Sequence, residues 1–332
     1  MGFGSYSSAS YARTTGAKIA SGTTFSYDST ARSTGTYAAH ETLDPTKKNA
    51  DGKLIRESRD SVEHPNSVPI VVGFDATGSM GSVPRVVQQK LSGLFGLLTR
   101  KGYVEDPQVS ISAYGDVDTD RVPLQISQFE SSNAVDDNLD NLFLEGNGGG
   151  NMKESASVLW YYLNNHVETD AWQKRGKKGY LFVIADEVSG GLTPEQVKRF
   201  IGSDEPVGDL SVTGIANELK KKWDVYILLI DNSSAKMQGS ENFYGNLFGK
   251  DHVLIIENPE TISETIGAAL GRLENGDLDE DDLIDDLVAI GATKTDALAA
   301  AKSVAKIGGG GRGTLAKGNV NLAVDDDDAV IF

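Results

Sequence analysis

The chain has 332 residues and carries Lys+Arg 31 against Asp+Glu 48, a net charge of −17. A field of that sign repels nucleic-acid phosphates and anionic membranes and favours cations or basic partners. Zero cysteines exclude disulfide frameworks, thiolate metal sites and Cys nucleophiles, and 24% charged with 39% hydrophobic residues is ordinary globular composition.

The first residues have no apolar core of a secretion signal, and no run approaches the ~18 apolar residues of a membrane span. A cytoplasmic protein is expected, or one of the virion or host cytoplasm if the gene is viral. Of the first 37 residues 15 are Ser or Thr, which leaves few groups able to offset chain entropy by burial. Residues 1–65 are therefore expected to form a mostly disordered or extended arm, punctuated by Tyr6, Tyr11, Tyr27 and Tyr37. From about Asn66, apolar strand-like runs alternate with helix-period segments, the mark of an α/β domain with a mostly parallel sheet.

Residues 68–74 are a nearly continuous apolar run that ends at Asp75, as expected of a central strand covered on both faces. Val87, Leu91, Leu94 and Leu98 then share one stripe of a helix that Ser82 can cap and Pro84 can start. Residues 109–114 read as the next strand, 122–126 as a short edge strand, and 135–144 as a helix. A glycine-rich loop over 146–151 leads into a helix over 152–163. Further core strands are expected at 180–185, 225–230 and 253–256, with helices around 194–201, 215–222 and 262–273. The topology is Rossmann-like, and ligands in such sheets sit beyond the carboxyl ends of strands where strand order reverses.

Beyond 273 the composition turns acidic, with 13 acidic and 5 basic residues in 273–332. Residues 273–307 are expected to be partly helical, because Leu283, Ile284, Leu287 and Val288 share a face and 297–305 is alanine-rich. The segment 308–332 begins as a Gly-rich linker and ends in Asp325 to Asp328 followed by Ala329-Val330-Ile331-Phe332. This ending resembles the acidic, Phe-ended docking tails of single-stranded DNA-binding proteins. Its aspartates are also candidates to compete, as a tethered ligand, for a metal site.

The chemistry concentrates in Asp75-Ala76-Thr77-Gly78-Ser79-Met80, between the first core strand and its helix. The strand end delivers Asp75 to the top of the sheet, and the turn at Gly78 aims the Thr77 and Ser79 oxygens at one point. The helix start leaves backbone donors free. Hydroxyls and carboxylates are hard ligands, which select magnesium, manganese or calcium over zinc or copper. The strand over 180–185 ends in Asp186-Glu187 and supplies a second carboxylate if it lies beside the first.

These residues resemble the metal-ion-dependent adhesion site of von Willebrand factor type A (vWA) domains, whose Asp-x-Ser/Thr-x-Ser turn is matched by Asp75, Thr77 and Ser79. The resemblance spans 66–272. It implies a Rossmann-like vWA fold: a mostly parallel central sheet of about six strands with one antiparallel edge, and helices on both faces. It assigns Asp186 to the acidic position after the fourth strand. Where the family places a loop Thr, this chain has Gly148-Gly149-Gly150-Asn151, and Asn151 offers an amide oxygen as a fifth ligand. The implied activity is non-enzymatic binding of a protein that offers Asp or Glu to Mg2+, Mn2+ or Ca2+. MoxR-type AAA-plus ATPases are the implied partner class, and neither nucleic acid nor membrane is involved.

Asp-x-Thr-Gly-Ser after a strand also looks like the aspartyl-phosphate loop of haloacid-dehalogenase-like phosphohydrolases. Thr77 stands where those enzymes need their second Asp, and Gly115-Asp116-Val117-Asp118-Thr119-Asp120 comes too early to be their acidic motif. A third reading is a structural assembly protein with incidental metal. The loop from Gly146 lacks the Lys-Ser/Thr of a P-loop, and the four histidines show no metal spacing. The run from Asp277 lacks the glycine and bidentate Glu of a calcium loop. Asp116, Asp118 and Asp120 are candidates for the rim of the metal face.

Overall fold

The computed structural model describes residues 7, 26–146, 153–276 and 278–308. Among the described residues the first elements are α1 (Ser26–Thr34), β1 (Arg56–Ser58), β2 (Ser67–Asp75), α2 (Val83–Lys101), β3 (Asp106–Tyr114), β4 (Leu124–Ile126) and α3 (Ala134–Asp140). It continues through α4 (Ala156–Asn165), β5 (Val167–Thr169), α5 (Asp170–Arg175), β6 (Gly179–Ala185), α6 (Pro194–Ile201), α7 (Val212–Lys222) and β7 (Trp223–Ile230). The last elements among the described residues are α8 (Ser233–Gln238), α9 (Ser240–Phe248), β8 (Val253–Ile256), α10 (Ile262–Glu274), α11 (Glu280–Ala289) and α12 (Lys294–Ser303).

The main sheet has six strands in the order β4-β3-β2-β6-β7-β8, and β1 pairs with β5 in a small second sheet. All pairs are parallel except β3 with the short edge strand β4. This is the Rossmann-like α/β arrangement expected, and strand order reverses between β2 and β6. Crossover helices cover both faces, so the central strands are apolar on both sides. Side chains alternate between two cores: Ile70, Val72 and Phe74 of β2 join the α2, α10, α11 and α12 layer, while Val71 joins the α4, α6, α7 and α9 layer. Gly73 is required by the second layer. A Cβ there would lie 2.3 Å from Leu159 Cδ2 of α4.

Four expectations change. Within the described residues 26–65 the arm is structured: α1 forms, Leu43 is fully buried, and Arg56 reaches the carbonyls of Asp44, Lys47 and Ile126. The Ser/Thr count averages over a stretch whose later part carries these anchors. The acidic extension is helical but does not stand apart, because Leu283, Leu287, Ala297, Ala300 and Val304 belong to the same core as α2 and α10, while Val288 is exposed. Ser82 makes no side-chain cap: its backbone is already helical and its carbonyl accepts Arg85 and Val86 N–H. Finally, α3 stops at Asp140 because Phe143 is held at both backbone groups by the Gln125 amide, and α4 starts only at Ala156 because Glu154 is bridged to Ser189.

Candidate metal centre

Strand order brings the tips of β2 and β6 side by side, and with them Asp75 and Asp186. The turn after β2 folds back on its own carboxylate: Thr77 N donates to Asp75 Oδ1 at 2.7 Å. Thr77 Oγ1 lies 3.1 Å from Ser79 Oγ, and Ser79 Oγ donates to Asp186 Oδ1 at 3.3 Å. Thr77 is buried and Ser79 exposed, so the cluster opens to solvent on the Ser79 side. The expected quartet Asp75, Thr77, Ser79 and Asp186 is therefore brought together in one chain of contacts.

Asn151 lies outside the described residues. The group that meets the turn from the same loop is Glu154, whose Oε1 accepts from Thr77 Oγ1 at 3.0 Å. Its backbone is fixed by Glu154 N to Val188 O and by Gly190 N to Glu154 O, which ties the loop to the segment after β6. Sequence reasoning missed Glu154 because it looked for a hydroxyl or amide inside the glycine run. The signal was a carboxylate two residues before the start of an apolar helix.

Other residues position these groups. Asn232 Nδ2 donates to Asp186 Oδ2 at 2.8 Å while its Oδ1 caps α8, and Ser240 Oγ donates to the Asp186 carbonyl. Tyr114 OH donates to the Ile184 carbonyl and Tyr244 OH to that of Glu187, which fixes the end of β6. Asp116 and Asp120 belong to a turn beside the site, in which Asp120 Oδ2 accepts Asp116 N–H and occupies the space a side chain at Gly115 would need.

The electrostatics are one-sided. Asp75 is completely buried and Glu154 nearly so, and Asp75 Oδ2 and Glu154 Oε2 have no hydrogen-bond partner. Among the described residues no Lys, Arg or His hydrogen-bonds or ion-pairs with Asp75, Glu154 or Asp186. Burial, and then the charge of Asp186, push the Asp75 carboxyl well above its usual range. Burial, and then the charge of Asp75, push Glu154 up to about 10. Orphaned buried carboxylate oxygens are costly, and a hard cation is the natural group to satisfy them. Among the described residues, no group of three or more His, Cys, Asp or Glu is arranged to hold a metal by itself. The donor set here mixes two hydroxyls with carboxylates.

No family model and no curated protein matches this chain. Among solved structures it is similar to the pilus adhesin SpaC from Lactobacillus rhamnosus GG in its open conformation, at 12% identity and a TM-score of 0.44, covering 65% of this chain and 31% of the adhesin. It is also similar to proximal thread matrix protein 1 from the mussel byssus, at 10% identity and a TM-score of 0.41, covering 62% of this chain and 46% of that protein. Each match thus spans less than half of the other protein's length. No helix among the described residues is long and apolar enough to cross a membrane.

Proposed function

We propose that this chain is a vWA-type, non-enzymatic module that binds a protein partner through a divalent cation. Asp75, Thr77, Ser79, Asp186 and Glu154 would hold Mg2+, Mn2+ or Ca2+, directly or through water. When bound, the ion supplies a positive charge able to take a carboxylate from a partner. The observation that carries this reading is the pair of orphaned, buried oxygens, Asp75 Oδ2 and Glu154 Oε2, on residues hydrogen-bonded to the same Thr77.

The chain's own part is to hold these groups in place. The Asp75 and Thr77 backbone turn, the Asn232 amide and the β6 tip fix the ligands, and exposed Ser79 leaves one side open to a partner. A partner that offers Asp or Glu at that opening fits this charge pattern, and a MoxR-type AAA-plus ATPase is one class to test. An intracellular or viral assembly is the proposed setting. Titrating magnesium, manganese and calcium calorimetrically into the full chain is expected to give a saturable heat that Asp75→Asn lacks, and flat traces with all three ions overturn the reading.

A further inference from the structure

Among the described residues, no strand pairs with the outer edge of β8. In a parallel ladder each residue turns its N–H and C=O to one side, and successive residues alternate. The Ile256 carbonyl accepts Asp231 N–H at 3.0 Å, which assigns Leu254 and Ile256 to β7 and turns the backbone of Val253 and Ile255 outward. Two of these groups are taken: Ser303 Oγ donates to Ile255 O at 3.1 Å, and Val253 N–H donates to the Lys250 carbonyl. Between this edge and α12 lies a groove of about 490 Å³, walled by Leu298, which is 43% exposed.

The groove has a charge gradient. α12 starts against the Pro259–Thr261 turn and reaches Ile255 through Ser303, so it runs antiparallel to β8. The acidic lining residues Glu257 and Asp296 therefore lie where β8 ends, and Lys302 and Lys306 where it begins, the end at which Glu280 opens α11 after α10 has reached Val304 and the start of β6.

We propose that this groove is the berth of the chain's own C-terminal segment. Asp325 to Asp328 meet Lys302 and Lys306, and Ala329 to Phe332 lie as a parallel strand beside β8. Three observations carry this assignment. First, the described chain reaches Gly308, two residues past Lys306, and the connection 309–324 can extend on the order of 50 Å at ~3.3 Å per residue. A tether of that length gives the segment a high local concentration at the groove. Second, the acidic block followed by an uncharged run matches the lysine-to-acid order of the groove, and the reverse orientation would set aspartates against Glu257 and Asp296. Third, Val330-Ile331-Phe332 are strand formers, and among the described residues the C=O of Val253 and the N–H of Ile255 remain as the pair of edge groups that strand addition uses.

The chain's lack of cysteine makes cross-linking clean. In the full chain carrying Leu298→Cys and Ile331→Cys, mild oxidation is expected to give a monomeric disulfide in at least fivefold higher yield than the control pair Val62→Cys and Ile331→Cys, in which Val62 is fully exposed on the loop before β2. Adding Lys302→Glu and Lys306→Glu should cut that yield several-fold. In the wild type, the amide of Ile255 should exchange at least tenfold more slowly than in a chain lacking 325–332, with Val253, Leu254 and Ile256 unchanged, since Val253 N–H is already held by the Lys250 carbonyl. Equal yields from the two cysteine pairs, equal exchange with and without the tail, a dimeric product, or preferential capture of Ile331→Cys by Ser79→Cys each overturns the proposal. None of these readouts requires a metal at Asp75, so the berth and the metal centre fail separately.

Discussion

Two acid-rich regions sit at opposite ends of the main sheet and are built on opposite rules. At the start of β2, Asp60 accepts from Arg175, Lys174 and Ser67, and Arg59 bridges Glu57, Glu168 and Asp170. Every one of these carboxylates is paired with a cation from the chain. At the end of β2, Asp75, Glu154 and Asp186 meet, among the described residues, only hydroxyls, an amide and backbone. The first region ties the small β1–β5 sheet and α5 to the main one. The second is costly to fold unless positive charge arrives from outside, which is why the unpaired set is read as functional and the paired set as structural.

The sharpest way to break this contrast is to supply the missing charge. Adding magnesium at about 100 times its dissociation constant should stabilise the wild type by roughly 2.7 kcal/mol, read as a rise in unfolding temperature, and Asp75→Asn should lose that gain. Without metal the same region should respond in reverse. Glu154→Gln removes an unpaired buried carboxyl, so in EDTA it is expected to stabilise the fold by about 1–3 kcal/mol; a loss in EDTA would mean that Glu154 has a cationic partner in the fold. At the other end, Arg175→Met takes a charged donor from Asp60 and from the Ser67 carbonyl and should cost about 1–2 kcal/mol whether or not metal is present. Chemical denaturation of the three variants with magnesium and with EDTA separates the two behaviours.

The sheet was legible in the sequence because its strands are covered on both faces, and such strands announce themselves as apolar runs: 180–185 and 253–256 fall within the observed bounds of β6 and β8. Asp75, Thr77, Ser79 and Asp186 were legible because the end of a buried strand is itself a sequence feature. Glu154 was not, since its place depends on a backbone bridge to Ser189, a contact between distant segments. Nor was the order within residues 26–65, where a few anchors such as Leu43 and Arg56 outweigh a polar average. Asn232, which orients Asp186, looks locally like an ordinary helix cap, and only tertiary structure shows that its amide does a second job.

The smallest expected effect tests the paired region through pH. Burial raises the Asp60 carboxyl, but the hydrogen bonds from Arg175 and Ser67 and the charge of Arg175 outweigh burial and hold it at about 2, below its ordinary 3.8. The folded state thus releases this proton more readily than the unfolded chain. The contribution is therefore fully present above the unfolded value and is lost as pH falls through the folded one. Between about pH 4 and pH 2 the wild type in EDTA should lose more stability than Asp60→Asn, because only the wild type has this carboxylate to protonate. Parallel stability curves for the two chains across that window would mean that Arg175 and Lys174 do not hold Asp60 in solution, and that the pairing at the start of β2 does not differ in kind from the unpaired set at its end.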